Sequence, residues 1–364
     1  MKEQLLYSAA ATFESACQLR ILAQDHPSYR LHGHSFIARL RARLPEDWAG
    51  FSGAEVDALQ HRLQRCVAVL DYDLLNNHLA VPSDENLTRW IRERVDIPGI
   101  EMVGIQSTRH EGADLDSLGN AHIWRRYRFE SAHQLPNVAA GHQCGRMHGH
   151  GFEVILHANQ NLQQQDMGVD YAVLDECWQP LHELLDHRCL NDIEGLENPT
   201  SETLSAWIWQ RIKPQLPQLS WVTVYETVTA GCHFDGHKYR IWKEQRFESA
   251  LRLKQAPEGD RRRQLHGHSY LLRLHLTAEL DPVMCWTVDY GDVKELFKPV
   301  YKALDHHLLD ELEGLEDSDP ASILRWIRVQ AAVKLPQLDR IDLYQSPGCG
   351  AILSWGDDEP ALPV

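Results

Sequence analysis

The chain has 364 residues, of which 43% are hydrophobic and 24% charged, and this composition indicates a globular protein large enough for two or three domains. Its 52 acidic residues exceed its 36 basic ones, and the net charge of −16 argues against general nucleic-acid binding. No apolar run approaches the length of a membrane span, and the eight scattered cysteines include no Cys-x-x-Cys pair, so we expect a cytoplasmic protein without membrane or nucleic-acid partners.

Four short motifs recur three times along the chain in the same order. They are Phe-Glu-Ser-Ala, His-Gly-His, Leu-Asp and Trp-Ile, and equivalent positions lie 115 to 119 residues apart. The first two motifs begin at Phe13, Phe129 and Phe247 and at His32, His148 and His266. Such self-similarity predicts homologous domains fused head to tail. We expect these domains to occupy residues 1–118, 119–236 and 237–364.

The predicted elements are clearest in the second repeat. In chain order they are strands over Phe129–His133 and from His148, helices over Tyr171–Leu185 and between residues 198 and 214, and strands over Trp221–Thr227 and near Cys232–Phe234. The first helix is predicted from apolar residues at helical spacing, and the second from a capping sequence at its start. The order ββααββ with hairpins favours an antiparallel sheet backed by two helices, an α+β fold.

The His-Gly-His motif of the second repeat is a candidate metal site. His148 and His150 lie on a predicted strand, where alternate side chains share a face, so both imidazoles can bind the same zinc-type ion. His133, on the preceding strand, is a third candidate ligand, and Cys144 stands four residues before the pair. Three imidazoles beside a thiol favour a catalytic metal site with an open coordination position. The alternative is a hairpin with ordinary buried or surface histidines.

Five segments of the second repeat carry a resemblance to a known family: FESAH, CGRMHGH, LDHRCLN, GLENPTSE and VYETVTAGC. They span nearly all of residues 122–236, and on them this repeat resembles the 6-pyruvoyl-tetrahydropterin synthase family. The Cys-x-x-x-His-Gly-His spacing is similar to that of the family's carboxy-forming branch, which belongs to queuosine biosynthesis. The outer repeats resemble the family in layout but only partly in chemistry.

The resemblance implies a fold and a reaction. In the tunnelling fold, three ββααββ subunits form a twelve-stranded antiparallel barrel with helices outside, and two barrels stack into a hexamer. One chain would then build one barrel as a pseudo-trimer, and a homodimer of chains would imitate the hexamer. The implied reaction is the zinc-dependent conversion of 7,8-dihydroneopterin triphosphate to 6-carboxy-5,6,7,8-tetrahydropterin, acetaldehyde and triphosphate.

The resemblance also implies roles for single residues. The zinc ligands would be His133, His148 and His150, and Cys144 would be the thiolate that transfers protons. Asp186 and His187 would be the pair that assists this thiolate. Glu226 would be the carboxylate that anchors the pterin ring. A thiol near a dication is expected to have a lowered pKa and to act as a base near neutrality. Thr200 and Glu202 are further candidates for the pterin pocket, although a helix cap explains them equally well.

Comparison of the repeats predicts that only the second is catalytically complete. In the first repeat the positions of the first zinc ligand, the cysteine, the assisting histidine and the anchoring glutamate hold Cys17, Ser28, Tyr72 and Gln106. In the third repeat Leu251, Arg262 and Gln345 replace the first ligand, the cysteine and the glutamate. Both outer repeats are therefore expected to be inactive and to complete the barrel. Whether Cys17 with His32 and His34 binds a metal stays open.

The third repeat nevertheless keeps an Asp-His pair, Asp305 and His306. Because the family's sites lie between subunits, we expect this pair rather than Asp186–His187 to serve Cys144. The alternative is a histidine that stabilises a helix terminus through the helix dipole.

The triphosphate has two candidate partners, Arg146 and the loop Arg261–Arg263, and for the loop a solvated surface is an equally good interpretation. Two functional alternatives remain at this stage. One is a pyruvoyl-type synthase of the same fold, and the other is a non-catalytic zinc- or pterin-binding protein, which the two degraded repeats suggest. Release of acetaldehyde would mark the carboxy-forming reaction.

Overall fold

The computed structural model describes residues 3–160 and 167–356, and each repeat contains four long strands and two helices. The first repeat contains β1 (Gln4–Cys17), β2 (His32–Ala42), α1 (Glu55–Val67), β3 (Asp73–Leu74), α2 (Asp84–Arg94), β4 (Ile100–Thr108) and β5 (Glu111–Leu115). The second contains β6 (Ala121–His133), β7 (His148–Gln160), α3 (Tyr171–Leu185), β8 (Arg188–Cys189), α4 (Ser201–Ile212), β9 (Leu219–Thr227) and β10 (Ala230–Phe234). The third contains β11 (Tyr239–Leu251), β12 (His266–Thr277), α5 (Tyr290–Leu304), α6 (Pro320–Ala331), β13 (Leu338–Ser346) and β14 (Cys349–Ser354).

The long strands close into one antiparallel barrel of twelve strands, as predicted. Neighbouring repeats join through β5–β6 and β10–β11, and β14 pairs with β1 to close the ring. The two-residue strands β3 and β8 pair in parallel with β1 and β6. Closure pairs the edge strands of all three sheets, which explains why three short-tethered units associate.

Stacked aromatic pairs fix the register of the first hairpin in every repeat. The ring centroids of Phe129 and Phe152 lie 5.0 Å apart, and both rings are buried. The equivalent pairs in the outer repeats are Phe13 with Phe36 and Phe247 with Tyr270. A one-residue slip would turn these rings to the other face of the sheet. The same register sets His133 opposite His148.

The helices of the second repeat begin at capped positions. Asp170 caps α3 by accepting a hydrogen bond from the backbone N–H of Ala172, and α3 spans the predicted range Tyr171–Leu185. Its buried apolar residues belong to the core between helix and barrel. β9 and β10 each begin two residues before their predicted starts, and for β10 the reason is that only two residues separate it from β9 in a tight hairpin.

The apolar cores of the repeats are not equivalent. The second repeat has its own core, whereas the cores of the first and third are continuous. Trp48 and Phe51 of the first repeat pack against this shared core. Among residues 3–160 and 167–356, no helix combines the length and hydrophobicity needed to cross a membrane.

Candidate active site

Three histidines and a glutamate of the second repeat converge at the barrel wall. His133 ends β6, His148 and His150 start β7, and Glu226 lies on the neighbouring strand β9. One potential ligand atom from each lies within 4.8 Å of the others. A carboxylate oxygen of Glu226 lies 3.5 Å from Nε2 of His150 and 3.8 Å from Nε2 of His133.

The hydrogen bonds of the histidines suit metal binding. Nδ1 of His133 lies 3.0 Å from the backbone oxygen of Pro199, and Nδ1 of His148 lies 2.7 Å from that of Arg146. If each Nδ1–H donates to its carbonyl, each Nε2 presents a lone pair, as in metal-binding histidines oriented by backbone carbonyls. Within the described residues, Nε2 of His133 and Nε2 of His150 are buried without a hydrogen-bond partner. This donor set fits a zinc-type ion.

Cys144 lies on a short 3₁₀ turn, residues 143–145, that precedes β7. Its backbone N–H donates to Nδ1 of His142 over 3.2 Å, and Nε2 of His142 lies 3.2 Å from a carboxylate oxygen of Asp289. Asp289 is the N-cap of α5 in the third repeat, where it accepts hydrogen bonds from the backbone of Gly291 and Asp292. The turn that carries the thiol is therefore tied to the neighbouring repeat.

A cavity of about 710 Å³ surrounds Cys144, His148 and His150 at the boundary of the second and third repeats. The third repeat contributes one wall, which includes Lys243, Trp286, Asp289, Tyr290 and Lys294. The charged side chains of the lining are balanced: three are basic and three are acidic, namely Arg146, Lys243, Lys294, Glu202, Glu226 and Asp289.

Burial governs the acid–base behaviour of this cavity. It raises the pKa of Glu226 to about 7, and the nearby Glu202 carboxylate adds to the shift. Burial also raises the pKa of the Cys144 thiol, and Glu226 and Asp289 raise it further. The protein's own charges thus disfavour the thiolate, whereas the sequence predicts a lowered thiol pKa. A dication bound by the three imidazoles would lower this pKa.

Thr200 and Glu202 line the cavity and also connect the repeats. The Thr200 hydroxyl caps α4 by accepting from the N–H of Thr203 and donates to the backbone oxygen of Cys285. One carboxylate oxygen of Glu202 accepts from the N–H and the hydroxyl of Thr287, at 2.8 and 3.0 Å. These bonds hold the third-repeat loop that carries Trp286 against the cavity.

Neither Asp-His pair lines the cavity around Cys144. Asp186 accepts from the N–H of Glu130 and pairs with His187 at 2.8 Å, and the His187 side chain is 77% exposed. Asp305 and His306 repeat this arrangement against Glu248 in the third repeat, and His306 is equally exposed. Within one chain, both pairs therefore face outward instead of meeting the thiol.

The arginine loop of the third repeat does not line this cavity either. Arg262 pairs with Asp260 and with Asp57 of the first repeat, and its guanidinium lies 4.6 Å from the ring centroid of Phe51. Arg263 donates to the backbone oxygens of Lys254 and Ala256. Arg262 therefore stabilises the boundary between the third and first repeats, and Arg263 stabilises the loop itself.

The strand register corrects one comparison between repeats. Ile37 and Glu153 lie three residues after the second histidine of their motifs, and they pair with Gln106 and Tyr225. Ser107 rather than Gln106 is therefore equivalent to Glu226. A one-residue error changes the face to which a strand side chain points, so the distinction matters for the first repeat.

Sequence reasoning missed the third-repeat wall, including Lys243, Asp289 and Lys294, and it missed His142. A signal was present, because an Asp-Tyr step begins the first helix of both the second and the third repeat, at Asp170 and Asp289. What a single sequence did not reveal is which repeat's cavity each step faces.

The fold and the site together define a class of closed barrels built from ββααββ units, with a histidine-rich site where two units meet. The sequence model of 6-pyruvoyl tetrahydropterin synthase matches residues 7–110, 122–237 and 240–354, one match in each repeat. This chain belongs to the 6-pyruvoyl tetrahydropterin synthase family.

Three known proteins are similar to part of the chain. A 6-carboxy-5,6,7,8-tetrahydropterin synthase from Synechocystis sp. is 38% identical over 119 residues, which cover 31% of this chain and 91% of that protein. A putative 6-carboxy-5,6,7,8-tetrahydropterin synthase from Archaeoglobus fulgidus is 32% identical over 85 residues, 23% of this chain and 69% of that protein. A dihydroneopterin monophosphate aldolase from Pyrococcus furiosus is 30% identical over 97 residues, 27% of this chain and 79% of that protein.

Proposed function

We propose that this chain is a zinc-dependent 6-carboxy-tetrahydropterin synthase that acts on 7,8-dihydroneopterin triphosphate at the second-repeat site. The observation that carries the proposal is the convergence of Cys144, His148, His150 and Glu226 in one cavity, with His133 buried in the same cluster of ligands. Similarity to the Synechocystis protein of that name supports this reaction. The product would be a 6-carboxy-tetrahydropterin of the type used for queuosine. The eight free cysteines suit the reducing cytoplasm.

The metal would be held by Nε2 of His133, His148 and His150. When bound, zinc would polarise oxygens of the substrate's side chain as a Lewis acid. The Cys144 sulfur would take and return protons at the neighbouring carbons, since its thiol lines the same cavity. His142 would hold the cysteine turn in place through the N–H of Cys144.

Glu226 would anchor the pterin ring. A carboxylate that faces the ring's amino group and adjacent N–H makes two parallel hydrogen bonds and fixes the ring's orientation. Because burial raises the pKa of Glu226 to about 7, such donors would favour its charged form. Thr200 and Glu202 would support the same pocket through their contacts to the third-repeat loop.

The triphosphate would bind among Arg146, Lys243 and Lys294. These three cations line the cavity, and two of them come from the third repeat. In a protein of net charge −16 such a local patch is needed to bind a polyanion.

A second copy of the chain would complete the site. Both Asp-His pairs are exposed, so a homodimer of stacked barrels could bring one pair to the Cys144 of its partner. We assign this role to Asp305–His306 of the third repeat. Inactivation by His187→Ala but not by His306→Ala would reverse the assignment, and a catalytically competent monomer would exclude it.

A different carbon–carbon cleavage of a related pterin is a second candidate, because one relative is named a dihydroneopterin monophosphate aldolase. Mass-spectrometric product analysis of the zinc-loaded protein with dihydroneopterin triphosphate separates the candidates. Carboxy-tetrahydropterin and acetaldehyde from the wild type, absent with Cys144→Ala, would support the proposal. Ser28→Ala, at the equivalent position of the first repeat, is the matched control and should leave turnover unchanged. No turnover with zinc bound would instead favour another pterin or a binding protein.

A further inference from the structure

A second cavity, of about 460 Å³, lies between the first and second repeats at a position equivalent to the site described above. One end is lined by Cys17, His32 and His34 of the first repeat, and the other by the start of α3 in the second. The register that sets His133 opposite His148 sets Cys17 opposite His32.

The three residues have the geometry of a metal site. One potential ligand atom from each lies within 4.8 Å of the others, and Sγ of Cys17 lies 3.6 Å from Nε2 of His32. Nδ1 of His32 lies 2.7 Å from the backbone oxygen of Arg30, which repeats the contact of His148 with Arg146. A donating Nδ1–H leaves Nε2 of His32 with its lone pair toward the thiol. One sulfur and two imidazoles form a recognised zinc ligand set with an open fourth position.

The remainder of this cavity differs in chemistry from the cavity around Cys144, which is called the working cavity below. Ser107 stands in place of Glu226 and donates to Asp84 over 2.6 Å, and the same Asp84 oxygen accepts from the hydroxyl of Tyr171 over 2.7 Å. The carboxyl group that could meet a ligand's N–H donors has therefore moved from the strand to the start of α2.

The charge of this cavity is strongly acidic. It is lined by five carboxyl groups and a single guanidinium, namely Asp84, Glu85, Glu111, Asp170, Asp175 and Arg125. Arg125 is already paired with Glu111 at 2.6 Å and with Asp175 at 2.8 Å. Burial raises the pKa of Asp84 to about 7, and it raises that of Glu226 in the second-repeat cavity to the same value. The difference in charge between the two cavities therefore does not depend on these two groups. In the working cavity three cations balance three acids.

We propose that Cys17, His32 and His34 bind a second zinc-type ion, and that the cavity beside it accepts a neutral or cationic ligand with N–H donors but excludes phosphorylated ones. An anion would meet uncompensated carboxylates there, whereas the working cavity offers three cations. The second ion does not depend on the proposed reaction, because it can be counted without substrate.

Metal analysis of the full chain, loaded with zinc and dialysed, tests the ion. About two zinc ions per chain are expected for the wild type and about one each for Cys17→Ala and His148→Ala. His266→Ala, in the third repeat where Leu251 leaves only two histidines, is the matched control and should keep two. No loss of zinc with Cys17→Ala would overturn the proposal. A single ion in the wild type that Cys17→Ala removes and His148→Ala spares would support it and would count instead against metal at the second-repeat site.

Cobalt substitution identifies the ligand directly. A thiolate bound to Co²⁺ gives charge-transfer absorption in the near ultraviolet, which should persist in Cys144→Ala and disappear in Cys17→His. Cys17→His recreates the three-histidine set and should retain both ions, so it separates ligand exchange from misfolding. A band that follows Cys144 instead of Cys17 would overturn the assignment.

Calorimetric titration with inorganic triphosphate tests the charge argument. One binding event per chain is expected, weakened at least tenfold by Lys294→Ala and unchanged by Arg125→Ala. A second event that Arg125→Ala abolishes would show that the acidic cavity admits phosphates. Since this titration needs no turnover, its result is independent of the proposed reaction.

Discussion

The bridge between His142 and Asp289 gives the sharpest test of an active site shared between repeats. The N–H of Cys144 donates to Nδ1 of His142, so the ring must carry its proton on Nε2, which lies 3.2 Å from a carboxylate oxygen of Asp289. In Asp289→Asn the remaining oxygen can still cap α5, but an amide N–H₂ would face the ring N–H. His142 then loses its favourable contact with a carboxylate.

The expected cost follows from the kind of contact that is lost. A polar contact of ordinary strength contributes about 0.5–1.5 kcal/mol, and this range applies because the His142 side chain is 29% exposed. We therefore expect kcat/KM to fall roughly twofold to tenfold, mainly in kcat. Alkylation of Cys144 by iodoacetamide should become faster, because the turn is released and the Asp289 charge no longer raises the thiol pKa.

Asp170→Asn is the matched control at the boundary of the first and second repeats. Asp170 caps α3 in the same way, but its carboxylate lies 3.9 Å from Nε2 of His26, beyond hydrogen-bond distance. This variant should leave turnover and Cys144 alkylation within about twofold of the wild type. Equal losses in both variants, or slower turnover together with slower alkylation in Asp289→Asn, would refute the reasoning.

Three further predictions test charge, protonation and packing. Lys294→Ala should raise KM for dihydroneopterin triphosphate roughly tenfold at low salt with little change in kcat. Steady-state kinetics should show that the increase in KM becomes smaller as the salt concentration rises. Asp175→Ala, at the equivalent position of the second repeat, should not change KM. Burial lowers the pKa of His157 to about 3, so between about pH 6.5 and 3 the unfolded chain binds a proton at this residue that the folded chain does not bind. As the pH falls through this range, the free energy of unfolding therefore decreases by about 1.4 kcal/mol per pH unit because of this group. Urea titrations should show a correspondingly smaller pH slope for His157→Asn, and an unchanged slope would contradict the linkage. Phe129→Ala should lower the free energy of unfolding by about 3–5 kcal/mol, because its ring is buried against Phe152, and a loss below 1 kcal/mol would argue against that packing.

Local sequence patterns determined much of the metal centre. His148 and His150 share a face because strand side chains alternate, and Phe-Glu-Ser-Ala motifs at regular spacing reveal the three repeats. The range Tyr171–Leu185 was predictable because helical apolar spacing and the N-terminal Asp170 are both local signals. The closed barrel came from the family resemblance, since the sequence pattern of one repeat specifies a sheet but not how its edges pair.

Only the tertiary structure decided what lies opposite Cys144. The β10–β11 pairing brings Lys243, Asp289 and Lys294 of the third repeat to the cavity, and such contacts depend on barrel closure rather than on any local pattern. The equivalence of Ser107 with Glu226 was also undecided in the sequence, because the segment between the Trp-Ile motif and this strand differs in length between the two repeats, so counting residues does not align the strands. In a strand an error of one residue reverses the face, and it therefore changes which side chain enters the site.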